Sequence, residues 1–194
     1  MTSGQIDVRA TPTAERPAGP LARWSAARRR ERSNRDEDFS AFVAATAPRL
    51  RRTAYLMCRD WHLAQDLTQI TFTRMYASWA RIRHAANLDA YSRRVLMNAV
   101  FDQRSRRSGT EVVCADLPER PEPAAATDLH VALMTALATL PIRDQAIVVL
   151  RHWEDQSVAT VAQILRISVS AVKMRDARAL SRIRALLGED FAGS

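Results

Sequence analysis

Residues 157–187 read SVATVAQILRISVSAVKMRDARALSRIRALL. Val158, Val161, Ala162 and Leu165 recur at helical spacing, and so do Val169, Val172, Leu180, Ile183 and Leu187. Arg166-Ile167 separates the two runs. Ser157 and Ser168 stand where each helix begins, and a serine there accepts from a backbone N–H that has no helical partner. Gly188 follows as a stop signal. Two helices joined by so short a turn predict a helix-turn-helix, with Ala162 small enough for close approach. The second helix carries Lys173, Met174, Arg175, Ala177, Arg178, Arg182 and Arg184. Lys173, Ala177 and Arg184 lie near one face, flanked by Met174 and Arg178. In a DNA-binding helix-turn-helix such positions reach base edges, while neighbouring Arg and Lys hold phosphates. The alternative is an ordinary helical hairpin with a basic solvent face.

Toward the N-terminus the helical patterning continues. Leu129, Leu133, Leu137 and Leu140 predict one face; after Pro141, Ile142, Ala146, Val149, Leu150 and Trp153 predict another. Residues 128–188 therefore form one lobe, with 189–194 as a tail. Residues 109–127 hold Gly109, Pro118, Pro121, Pro123 and four acids, and read as a flexible acidic linker. A first lobe spans 36–108. Its first helical pattern is Phe39, Phe42, Val43, Leu50, Ala54 and Met57, which Pro48 bends or interrupts. Leu63, Leu67, Phe72, Met75, Tyr76 and Trp79 give a second inward face. Residues 82–88 read as a loop, and Asp89 as the N-cap of a third helix carrying Tyr91, Val95, Leu96, Ala99 and Val100. Arg104, Arg106 and Arg107 suit the negative end of that helix. Residues 1–35 have few large apolar side chains and are expected to be a disordered basic tail. Its run Arg28–Arg32 is either a phosphate contact or a solvated charge run.

Glycine is absent from 20–108 and from 110–187, and no Asn-Gly or Asp-Gly pair marks a hairpin. The fold class predicted is all-α, two small helical domains joined by a flexible linker. The net charge is +8, and Lys173 is the only lysine among 29 basic residues. That balance points to a polyanionic partner. No apolar run approaches the ~20 residues of a membrane span, so no membrane association is expected. Nor does an apolar segment follow a basic start, so no secretory signal is expected. Cys58 and Cys114 stand alone, and His62, His84, His130 and His152 are scattered, so neither a metal site nor a disulfide framework is expected. No P-loop, dinucleotide-binding turn or catalytic triad order appears, so the chain reads as no enzyme and takes no cofactor.

Three strings in order carry a resemblance. LAQDLTQITFTRMY (63–76), AYSRRVLMN (90–98), and the set TLP (139–141), VLRHWED (149–155) and SVSAVKMR (168–175) resemble bacterial RNA polymerase sigma factors of the extracytoplasmic-function group. That group keeps only the second and fourth sigma domains. The likeness covers about 36–188, so it implies a region 2 domain, a linker and a region 4 helix-turn-helix. It implies a cytoplasmic promoter-specificity factor that directs core RNA polymerase and helps melt DNA. The rival from pattern alone is a free-standing helix-turn-helix regulator of duplex DNA.

The resemblance also implies roles for residues. Asp66, Gln69 and Arg74 would meet the clamp helices of the polymerase beta-prime subunit, and the fourth domain the beta flap. His84, Asn87, Arg94, Asn98, Arg104, Arg106 and Arg107 would serve the minus-ten element. Of these, Asn98 is a good edge reader for an unstacked base. Lys173, Met174, Ala177 and Arg178 would read the minus-thirty-five element, with Arg151 and Arg175 on phosphates. Promoter DNA and core polymerase are the implied partners, and an anti-sigma factor is a common further one in the family. Four residues depart from the family pattern. Gln65 and Ile70 replace acids, Arg166 stands where a glycine is common, and Asp176 stands where an apolar residue is common.

Overall fold

The computed structural model describes residues 20–109 and 128–191, with side chains over 30–107 and 129–188. Among these residues every regular element is a helix. They are α1 (Pro20–Cys58), α2 (Trp61–Ile82), α3 (Leu88–Gly109), α4 (Asp128–Ala138), α5 (Ile142–Val148), α6 (Val158–Leu165) and α7 (Val169–Phe191). A π-helical turn, Val149–Trp153, continues α5. The chain separates into two compact units, Met1–Asp38 and Phe39–Ser194.

In the first unit, residues 20–38 are helical, which corrects the expectation of disorder for 20–35. Poverty in large apolar side chains limits packing but not helix formation. Alanine, arginine and glutamate are good helix formers. Ser33 donates to Glu37 one turn on at 3.0 Å. Residues 1–19 of the expected tail lie outside the described residues, as do 110–127 of the linker.

In the second unit, α1 supplies Leu50, Ala54 and Met57 to a core shared with Leu67, Met75 and Trp79 of α2 and Leu96 and Met97 of α3. Phe39 sets its ring edge-on to Trp79, with centroids 5.0 Å apart. Pro48 does not interrupt α1. It and Ala44 are exposed, so water reaches the carbonyl that the missing N–H leaves unpaired. Buried threonines of α2 satisfy their hydroxyls locally, Thr68 on the Ala64 carbonyl and Thr71 on the Leu67 carbonyl, both at 2.7 Å.

Asp60 caps α2, its carboxylate accepting from the Leu63 N–H at 3.0 Å. The expected cap of α3 is corrected. Asn87, not Asp89, accepts from the Ala90 N–H at 2.8 Å, because the helix begins at Leu88. Asp89 instead pairs with Arg49 at 2.9 Å. Three further expectations are revised. Tyr76, Trp153 and Val169 are exposed rather than inward. In α4 the inward face is Met134, Leu137 and Leu140, while Leu129 and Leu133 face out. The helix α7 runs through Gly188 to Phe191, where no positive φ requires a stop.

Both predicted lobes lie within the second unit, and α6 packs against α3.

Candidate functional site

Three surfaces carry the residues singled out from sequence. The first is on α2. Asp66, Gln69, Ile70, Thr73 and Arg74 line one open groove of about 490 Å³. Spacings of three, four, seven and eight residues place them on one stripe. The opposite side of the helix, with Ala64, Leu67, Met75 and Trp79, is buried. Arg74 reaches across to Asp102 of α3 at 3.1 Å. The structure thus brings together Asp66, Gln69 and Arg74. It adds Thr73, which sequence reasoning passed over, although its spacing from Asp66 and Gln69 would have placed it there. Ile70, one of the departures, is 40% exposed on the groove wall.

The second surface is the turn 83–87 with α3. His84 and Asn87 are exposed in the turn. Arg94 is half-buried, and Asn98 is exposed one helical turn later on the same side. Arg104, Arg106 and Arg107 are exposed along the last two turns. Asn87 has a structural duty already, since its carbonyl oxygen caps α3. Only its amide hydrogens remain for another partner.

The third surface is the helix-turn-helix of α6 and α7. Ser157 accepts from the Thr160 N–H at 3.0 Å, and Ser168 from the Ala171 N–H at 3.1 Å, so both expected caps are present. The turn does need a left-handed residue: Arg166 sits at φ 56°, ψ 46°. The Ile167 N–H then reaches the Ala162 carbonyl at 3.1 Å and closes the end of α6. Val172, Ala179 and Ile183 anchor α7 in the core. Lys173, Met174, Ala177 and Arg178 consequently face solvent together.

Arg151 and Arg175 are held differently. Each is half-buried and tied to protein groups. Arg175 contacts Asp144 at 3.2 Å. Arg151 donates to the Gln156 carbonyl and lies 3.8 Å from Asp176. Asp176 also takes His152 at 2.9 Å. The acid that departs from the family pattern therefore ties α7 to the end of the π-helical turn. Both guanidinium groups are oriented by these acids and keep exposed edges beside the α7 surface.

Among the described residues no three His, Cys, Asp or Glu side chains gather as a metal site. No described helix is long and apolar enough to cross a membrane.

Known proteins match the same division. The family profile for sigma-70 region 2 matches residues 42–110, and that for sigma-70, region 4 matches 130–183. The chain is 36% identical over 150 residues to the RNA polymerase sigma-E factor of Streptomyces coelicolor, covering 76% of this chain and 84% of that protein. It is 28% identical over 140 residues to the ECF RNA polymerase sigma factor SigM of Mycobacterium tuberculosis, covering 72% of this chain and 71% of that one. In fold it is similar to the sigma factor RpoE of Bartonella quintana, solved in complex with the anti-sigma factor NepR. The TM-score is 0.67 at 23% identity, over 78% of this chain and 98% of that one. It is also similar to CnrH, solved with the cytosolic domain of CnrY, with a TM-score of 0.60 at 23% identity, over 78% of this chain and 88% of that one. Region 2 on α1–α3 and region 4 on α4–α7, in that order, make the chain a member of the sigma-70 family, in its extracytoplasmic-function group.

Proposed function

We propose that the chain directs core RNA polymerase to promoters through a division of labour among α2, α3 and α7. The α2 groove of Asp66, Gln69 and Arg74 docks on the beta-prime clamp helices of core polymerase, and region 4 meets the beta flap. His84, Asn87, Arg94 and Asn98 take the minus-ten element, with Asn98 reading an unstacked base of the melted strand. Arg104, Arg106 and Arg107 hold the duplex upstream. Lys173, Met174, Ala177 and Arg178 read the minus-thirty-five element, and Arg151 and Arg175 hold its phosphates. Polymerase performs the chemistry, and the chain works where polymerase does, in the cytoplasm. An anti-sigma factor is a further partner, as for the solved relatives.

The observation that carries this reading is the convergence of Asp66, Gln69 and Arg74 on one groove, separate from the outward stripe of α7. A free-standing regulator would account for α6 and α7 but leaves region 2 without a task.

Run-off transcription with core polymerase tests it: the purified chain is expected to confer promoter-dependent initiation, and a regulator would not. Asp66→Ala is expected to weaken core association at least about tenfold while leaving upstream-element recognition intact. Arg178→Ala is expected to cost about 1–3 kcal/mol at the upstream element with core association intact. Equal effects of both changes on core association would refute the division.

A further inference from the structure

Glu154 is the one buried acid among the described side chains, and its side chain is 2% exposed. It belongs to region 4, just after the π-helical turn, yet its partners are all in region 2. Arg93 of α3, itself 6% exposed, donates through Nε and Nη2 to Glu154 Oε2, each at 2.9 Å. Thr53 of α1 donates its hydroxyl to Oε1. Arg49 of α1 brings its Nε to 3.6 Å from Oε2, while Asp89 holds its other end. A second buried polar contact lies nearby. Gln145 of α5 donates its amide to the Leu56 carbonyl at 2.8 Å, one of the last carbonyls of α1, which lack helical partners. Arg143 of α5 sets its guanidinium 5.2 Å from the ring centroid of Phe101 on α3.

Two features mark this interface as one built to open. It is centred on charged and polar groups. A buried ion pair regains hydration when it separates, so desolvation nearly cancels its attraction, and the closed form is held by specificity more than by strength. Its closure also conflicts with reach. Elements named for positions ten and thirty-five are about 25 base pairs apart, on the order of 80 Å at ~3.4 Å per base pair. A compact body of about 150 residues has a radius of gyration of only ~15 Å. Asn98 on α3 and Lys173, Met174 and Arg178 on α7 remain exposed in the closed form. What closure denies is simultaneous use of both helices, and with it the gain from bivalent engagement.

We propose that the free chain rests closed, with region 4 docked on region 2 through Glu154 on Arg93 and Thr53. Release of that contact is the step that lets α3 and α7 engage two promoter elements at once, a role that rests on the promoter reading above. The α2 groove stays open in the closed form. Core polymerase therefore docks on the closed chain first and draws the equilibrium toward the extended form.

Pulsed electron resonance on the full chain tests this. Spin labels go on Ala77→Cys of α2 and Ala185→Cys of α7, both exposed, in a chain carrying Cys58→Ser and Cys114→Ser. The free chain is expected to give one short, narrow distance, and adding core polymerase a long one. Glu154→Ala is expected to raise the long-distance population at least tenfold, with helix content by circular dichroism unchanged. Thr53→Val, which removes only a hydroxyl, should shift it in the same direction by less. A wild-type distance already long, or variants that keep the short narrow distance, would overturn the proposal. The distances of the free chain are read without polymerase or DNA, so a failed run-off assay overturns the promoter reading and leaves the latch standing.

Discussion

Cys58 ends α1 with its thiol donating to the Asp60 carbonyl at 3.2 Å. Burial is the main cause that pushes this thiol up from 9.0 to about 11, with the Asp60 charge adding and hydrogen bonding opposing. The thiolate is the nucleophile, so a shift of this size lowers reactivity at pH 8 by on the order of 100-fold relative to the unfolded chain. Iodoacetamide labelling of a Cys114→Ser chain, folded and in denaturant, measures it. The sign for stability follows. A group whose folded value is raised contributes stability that is intact below pH 9.0 and lost as pH climbs toward about 11. Denaturant melts across that window should show stability falling with pH, and less so in Cys58→Ala. The sequence singled out this cysteine as a lone reduced thiol. Its protection was not legible there, because burial depends on what packs over the end of α1.

At the scale of elements, the helix-turn-helix was the most legible part. Caps are local chemistry, so Ser157 and Ser168 could be placed from the residues that follow them. Arg166 was recognised as an unusual turn residue, and the turn proves to be left-handed despite it. A side chain in that region costs on the order of 1 kcal/mol, which glycine avoids. Arg166→Gly is therefore expected to stabilise the chain by about 0.5–1 kcal/mol, after allowing for glycine's greater freedom when unfolded. The midpoint of urea unfolding checks it, and a loss of stability would mean that Arg166 has a compensating contact. Other element ends were less legible. Asn87 and Asp89 are both good caps, and only the true start of α3 chose between them. In α4 leucine spacing suggested one face, but the neighbours of Met134 turned the helix to another. The stripe on α2 was readable because its inward side is so consistently apolar that the outward side follows.

Across the whole molecule, the two-lobed order was legible, since proline and glycine punctuate it and the patterned strings fall on either side. The docking of the lobes was not. Arg93 sits in an arginine pair that reads as a solvated or DNA-facing surface, and Glu154 lies 61 residues away in an acidic dipeptide. If the two lobes unfold as one because this contact couples them, scanning calorimetry of the full chain should give a single transition. Glu154→Ala should separate it into two, with the less stable lobe melting first. Two transitions in the unaltered chain would mean that the lobes melt independently.

Helix positions, serine caps and the outward faces of α2 and α7 were written in the chain, because they arise from hydrogen bonds and periodicities spanning a few residues. The burial of Cys58, the left-handed turn at Arg166 and the seating of Glu154 against Arg93 and Thr53 were settled only when distant helices met. Solvation decides whether an ionic or polar side chain faces water or a partner. It is a property of the packed molecule, and no short stretch of residues encodes it.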